Sequence, residues 1–191
     1  MPDLSTRPVR MVFTSRAGGV SAAPYDSFNL GTHVGDNPED VAANRSRLAG
    51  ILGLPADRFV WMEQLHTNTV TRVDAPSAVP VEATDALVTR EKDLALCVLV
   101  ADCTPVLLSD HTAGVIGAAH AGRMGARNGI VKNTVQAMVD LGAQPSRIQV
   151  LLGPAAAGAS YEVPEGMAAD VEKHLPGSRT TTTRGTAGID V

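Results

Sequence analysis

Residues 100–125, VADCTPVLLSDHTAGVIGAAHAGRMG, constrain the fold more than any other stretch. Two apolar runs, residues 106–109 and 115–119, flank the polar, glycine-containing turn DHTAG, which is the pattern of an antiparallel hairpin. Runs this close cannot pair in parallel, because a parallel crossover needs a dozen or more residues. The rest of the domain has to pack around that ribbon. A turn centred between His111 and Thr112 places Cys103 opposite His120, and opposed residues share a face with Cβ atoms about 4.5–5.5 Å apart. Pro105 bears on this register, since proline inside a ladder implies an edge or a bulge, and a bulge shifts the pairing by one.

Around the hairpin the periodicity alternates between helix and strand. Asn37-Pro38 is a capping residue followed by proline at a first helical position. Val41, Leu48, Ile51 and Leu52 then repeat along one face until Gly53 and Pro55 stop the helix. A second helix is predicted over residues 125–141, ending at Gly142, and a shorter one after Pro164 carrying Met167, Val171 and Leu175. Strand-like runs fall at residues 12–15, 59–62, 69–73, 94–100 and 148–152, in addition to the hairpin. Residues 75–84 and 176–185 read as loops. The order is not a regular βαβ alternation, which predicts an α+β fold with helices packed outside mixed sheets. A chain of 191 residues, 44% of them hydrophobic, suits a single domain.

Charge narrows the function classes. A formal net charge of −4 with 16 scattered Lys and Arg offers no basic stripe for a nucleic-acid backbone. No window approaches the roughly 18 apolar residues of a membrane helix, and the N-terminus has no signal-like apolar run. A cytoplasmic protein with no nucleic-acid or membrane partner is expected. The two cysteines, Cys97 and Cys103, then read as thiols or metal ligands rather than as a disulfide. Cys97 sits in LALCVLV and reads as a small buried core residue.

Cys103 and His120, joined by His66 in QLHTNTV, form the ligand set of an open zinc site. Three protein ligands leave a fourth position for water or substrate, whereas structural sites close with four. The spacing alone is not a specific motif, and a satisfied polar histidine is the plain alternative for His66 and for His120. His33, His111 and His174 read as loop or helix-surface residues without a catalytic part.

Several segments together resemble the YfiH family, in the same order along the chain. They are TSRAGGVS (14–21), FNLGTHVGD (28–36), Asn44-Arg45, QLHTNTV (64–70), DALVT (85–89), ADCTPVLLSD (101–110), GVIGAAHAG (114–122) and LLGPAAAGASYEV (151–163). The family is also called laccase-domain or multicopper polyphenol oxidase-like, and some members are described as peptidoglycan editing factors. The resemblance implies a four-layer α/β/β/α fold and a metal, usually zinc, on His66, Cys103 and His120. It also implies phosphorolysis of purine nucleosides (adenosine, inosine, methylthioadenosine) together with adenosine deamination. Family members continue for some tens of residues beyond the point where this chain stops, so the resemblance implies that residues 1–191 lack part of the usual C-terminal segment. Two departures stand out. HAGRMG replaces the family's HAGWRG, and Ala159-Ser160 stand where cysteines usually precede Tyr161.

Chemistry distributes provisional roles. Deamination needs a metal-activated water, and phosphorolysis an oriented phosphate attacking C1 of the ribose while the base leaves. Arg16 and Arg45 are the candidate phosphate cations, and Asn29 and Gln64 the candidate hydrogen-bonding partners of base or ribose, with turn capping as the alternative for Asn29. Asp102 is a candidate general acid/base or an orienter of a ligand imidazole. Five histidines cannot supply a multicopper oxidase, although a single copper on the trio is compatible with its donors. Two other readings stay open: a cysteine hydrolase with Cys103 as nucleophile and His120 as base, acting on a peptidoglycan precursor, and a non-catalytic module binding a metal or a purine.

Overall fold

The computed structural model describes residues 9–191, and the reading of the first eight residues as free of a signal lies outside them. The hairpin forms from β5 (Thr104–Asp110) and β6 (Val115–Ala121), in register from Asp110↔Val115 to Thr104↔Ala121. The turn is four residues long, 111–114, because Asp110 belongs to the strand. Its carboxylate accepts hydrogen bonds from the N–H groups of Thr112 and Ala113, and Gly114 turns the chain at φ 64°. This corrects the expected pairing: His120 faces Pro105, and Cys103 lies just outside the ladder. Pro105 sits in the strand without an inserted residue. Its carbonyl accepts from Gly153 N–H, just past the last pair, Val106↔Leu152, with β7 (Gln149–Leu152), so the missing N–H falls where that ladder ends.

The hairpin anchors a five-stranded mixed sheet ordered β2-β3-β6-β5-β7, completed by β2 (Val70–Arg72) and β3 (Ala86–Thr89). The β2–β3 pair is parallel and the others antiparallel. On one face Val88, Val106, Leu108 and Ala119 pack against Ile130 and Met138 of α3 (Ile130–Asp140). Gly117 allows that approach, because a Cβ there would lie 3.1 Å from Met138 Sδ. The opposite face presents Leu87 to Val60, Met62 and Leu94. These belong to a second layer, in which β1 (Phe59–Val60) pairs in parallel with β4 (Ala95–Leu96). Beyond it α1 (Pro38–Leu52) sets Leu48 and Ala49 against Phe59. The order helix, sheet, sheet, helix is the expected four-layer arrangement of a mixed α+β domain. After β7, α4 (Glu165–His174), β8 (Arg179–Thr181) and β9 (Ala187–Ile189) gather around Ala168, Val171 and Ile189. Among the described residues no helix is long and apolar enough to cross a membrane.

Helix α1 has the caps read from its sequence: Asn37 accepts from Glu39 N–H, and Gly53 is left-handed at φ 68°. Its inward face differs, with Asn44 buried and Ile51 67% exposed. Asn44 accepts from Val20 N–H and donates to Ser21 Oγ and to the carbonyls of Ser27 and Asn29, fastening the preceding segment to the helix. The single helix expected over 125–141 is two helices, α2 (Arg123–Arg127) and α3, separated by Gly129 at φ 83°. Residues 12–15 form no strand, and the Phe13 ring instead lies against Gly153. The run 94–100 pairs only at Ala95–Leu96, because Gln64 occupies the N–H and carbonyl of Leu99. The stretch read as a loop at 176–185 contains β8.

A buried ion pair ties the hairpin turn to the approach to β7. Asp110 is fully buried and also accepts from Gln144 N–H and the Arg147 guanidinium. Hydrogen bonding to Arg147 is the main cause holding its carboxyl well below the usual carboxylate range. A depressed carboxyl stabilises the fold above its unfolded pKa of about 4 and loses that contribution as pH falls through its folded value. The melting-temperature gap between the native chain and Asp110→Asn is therefore expected to be widest near neutrality and to close as the pH drops below about 4. A gap that stays constant across that range contradicts the assignment.

Candidate metal centre

Three chain segments converge at the lower end of the hairpin. His120 is near the end of β6, Cys103 immediately precedes β5, and His66 lies in the loop before β2. The Nδ1 or Nε2 atoms of the two histidines and the Cys103 thiol all lie within 4.8 Å of one another. Cys103 Sγ is 3.9 Å from His66 Nε2, and the two imidazoles meet edge to face with centroids 4.7 Å apart. His120 is buried, Cys103 half-buried and His66 exposed, so the trio opens to solvent on one side.

One carboxylate organises the group. Asp85 is fully buried at the entry to β3, and its Oδ1 accepts from His66 N–H (3.0 Å) and pairs with His120 Nδ1 (2.8 Å). Its Oδ2 accepts from the N–H groups of Leu65 and Thr67 and from Thr67 Oγ1. The loop so gathered holds His66 at φ 61°, an uncommon conformation for a residue with a side chain.

Electrostatics follow from burial and from this carboxylate. Burial opposes ionisation of Asp85, but the hydrogen bonds from His120, Thr67 and Leu65 outweigh it and hold the carboxyl below its ordinary range. Burial pushes His120 down, with Asp85 partly opposing, and so favours the neutral imidazole a metal requires. Burial, then the charges of Asp102 and Asp85, push the Cys103 thiol up. Among the described residues no side-chain cation lowers the Cys103 thiol, and a metal ion is the kind of charge that does.

The donor set fits a metal in composition and in space. Two imidazoles and one thiol suit zinc or copper, and three donors leave an open position. Gly122 supplies the room: a Cβ there would lie 2.8 Å from His66 Cδ2, 3.0 Å from Cys103 Sγ and 3.5 Å from His120 Cε1. A side chain at 122 would intrude on His66 and Cys103 and reach contact with His120.

Arg16, Asn29, Arg45, Gln64 and Asp102 line the same cleft as the trio, whose volume is 2330 Å³. Small-molecule sites usually span about 300–1,000 Å³, so sharing this cleft does not by itself make residues neighbours. Arg16 is exposed and pairs with Asp26 at 2.8 Å. Asn29 caps its own turn, accepting from Gly31 N–H and donating to the Gly31 carbonyl and to Asp36. Gln64 spends both ends of its amide on Leu99. Arg45 donates through Nε to the Leu30 carbonyl and stacks 3.8 Å over the Trp61 ring, with no carboxylate partner among the described residues. Asp102 is exposed, and the position beside the ligand imidazole is taken by Asp85. Burial pushes Cys97 up to about 12, which makes it an inert thiol. The sequence reading passed over Asp85, Gly122 and Trp61. For Asp85 the available signal was an acidic residue leading directly into the apolar run ALVT.

Comparison with known proteins agrees with this picture. A family model described as multi-copper polyphenol oxidoreductase laccase matches residues 10–191. The chain is 65% identical over 191 residues to a Corynebacterium glutamicum protein named purine nucleoside phosphorylase, covering 99% of this chain and 78% of that one. Among solved structures, YlmD from Geobacillus stearothermophilus superposes with a TM-score of 0.86 at 33% identity, covering 93% of this chain and 70% of YlmD. A Bacillus licheniformis protein called YfiH gives 0.85 at 30% identity, covering 92% and 70%.

Proposed function

The chain belongs to the family described as multi-copper polyphenol oxidoreductase laccase, with YfiH-type proteins as its structural neighbours, and from that premise we propose that it is a metal-dependent purine nucleoside phosphorylase. The observation that carries the reading is the open His66–Cys103–His120 trio in a chain 65% identical to a protein of that name. The literal laccase description transfers poorly as chemistry. Of five histidines two belong to the trio, and the others are dispersed: His111 meets Gln149, His174 meets the Asp170 carbonyl, and His33 is exposed.

In this reading the nucleoside is adenosine, inosine or methylthioadenosine, and the metal on the trio is zinc, with copper as the alternative. Phosphorolysis joins a phosphate oxygen to C1 of the ribose and breaks the bond to the base, which leaves with the electron pair and takes up a proton. A bound zinc ion supplies Lewis-acid polarisation and an activated water, and the latter would also serve adenosine deamination. Arg45 is the first choice for the phosphate, because its guanidinium is half-buried, stacked on Trp61 and without a carboxylate partner among the described residues. Arg16 is the second cation. Asn29 and Gln64 shape the wall that base or ribose meets, and Asp102 is the exposed acid/base beside Cys103.

Incubation with inosine is expected to release hypoxanthine only when inorganic phosphate is present, with ribose 1-phosphate formed in equal amount. Release at the same rate without phosphate contradicts the phosphorylase reading. A second reading has its own observation: Asp85, His120 and Cys103 follow one another as orienter, base and nucleophile do in a cysteine hydrolase. It predicts cleavage of an amide in a peptidoglycan precursor that survives complete metal removal.

A further inference from the structure

We propose that Asp85 is the positioning residue of the metal centre: by joining the His66 backbone to the His120 ring it assembles the two imidazoles before any metal arrives. The inference rests on the metal reading of the trio and is independent of which reaction the site performs.

The argument starts from the two oxygens. Oδ1 is shared by both histidines, taking the main-chain N–H of one and the ring Nδ1 of the other. Oδ2 holds the flanking turn through Leu65 N–H, Thr67 N–H and Thr67 Oγ1. Two consequences follow. The His120 proton is fixed on Nδ1, so Nε2 keeps the lone pair and is the donor atom turned to the trio. The same carboxylate also gathers three successive N–H groups, which holds His66 in its left-handed conformation beside Cys103. A second tie runs through the main chain, where His120 N–H donates to the Asp85 carbonyl at 2.8 Å. Strand β3 therefore holds strand β6 through backbone and side chain at the position of a ligand.

Neither asparagine nor alanine meets these demands at this position. Asparagine would turn an NH₂ group either toward two donors at the Oδ1 position or toward three at the Oδ2 position, and neither arrangement satisfies the set. Alanine would leave all of them unpaired in a buried place.

The test is metal affinity measured on folded protein, with cobalt(II) as the probe because its thiolate charge-transfer band reports Cys103 and its visible bands report geometry. Asp85→Asn is expected to weaken binding by about 10–100-fold and to alter the visible bands. Thr67→Val keeps the charge and removes one donor, and it is expected to weaken binding only a few-fold. The Thr67 variant carries the comparison if the Asp85 variant does not fold. Independently, ring ¹⁵N shifts of the metal-free native protein should show His120 protonated on Nδ1. A purely structural Asp85 would lower the melting temperature of Asp85→Asn while leaving metal affinity and cobalt spectrum of the folded fraction unchanged, and that result overturns the proposal. So does a native His120 protonated on Nε2. Failure of the native protein to bind cobalt or zinc overturns the metal reading itself, which separates the two failures.

Discussion

Gly122→Ala is expected to abolish metal binding at the trio, and activity with it, although it adds only one methyl group. The backbone at Gly122 has φ −73° and ψ 168°, which any residue adopts, so the effect is steric and not conformational. The new carbon would stand 2.8 Å from the His66 ring and 3.0 Å from the Cys103 sulfur, closer than such contacts normally come. The His66 backbone cannot retreat, because three consecutive N–H groups of its loop are held by Asp85, so its exposed ring has to swing away from the trio. His120 is buried on the other side. The ligands must separate, and a displacement of about 1 Å at a catalytic group can lower the rate by about 10²-fold. Overpacking of this kind costs about 1–3 kcal/mol of stability, so the variant should still fold. Gly50→Ala in α1 is the control, since nothing lies within 4 Å of its added carbon. It should leave metal content unchanged. Elemental analysis of both variants decides the matter, and an alanine at 122 with full metal content would show that the trio does not hold the ion.

Replacing the thiol is the second large effect. Cys103→Ala removes one of three donors and the only sulfur ligand, leaving two imidazoles to hold the ion. Phosphorolysis should fall by about 10²–10⁴-fold, the equivalent of several kcal/mol of lost charge stabilisation. Chelation of the native protein should reproduce that loss, and added zinc should restore it. The thiol-nucleophile reading predicts a different pattern, in which the alanine variant is inactive while the chelated native protein still turns over substrate. Cys97 provides an internal comparison, because burial beside α1 and β4 keeps that thiol protonated and it lies outside the group of three donors. Cys97→Ala should leave metal content as it was. Retention of metal at full stoichiometry in Cys103→Ala would remove the thiol from the ligand set.

The parts of the fold legible in the sequence are those governed by local chemistry. Asn37-Pro38 and Gly53 mark the ends of α1 because caps act within a few residues. The hairpin is visible because its turn is local too. Its register is not legible in the same way, because Asp110 reads as a turn residue from its type, whereas its carboxylate serves the turn from a strand position. Arg147, 37 residues away, helps to fix it there, and that is a tertiary fact. The break between α2 and α3 was hidden because Gly129 lies within an otherwise helical pattern. Among candidate site residues the trio is legible because thiol and imidazole declare their chemistry by type. Asp85 and Gly122 are not, since one acts through five hydrogen-bond donors spread over two chain segments and the other through the absence of a side chain.

The trio draws on a loop, the start of one strand and the end of the next, with Cys103 37 residues after His66. No such constellation persists once the chain is unfolded, so whatever ion the native state captures is tied to folding itself. A hundredfold excess over its dissociation constant adds about 2.7 kcal/mol to native stability. With an ion bound, the centre would be a reversible cross-link, staple-like in its entropy but opened by competing ligands where a disulfide is opened by reduction. It would fasten loop to hairpin at the strand ends of the main sheet. With an ion bound, the margin of native stability as well as the working fraction would follow metal supply.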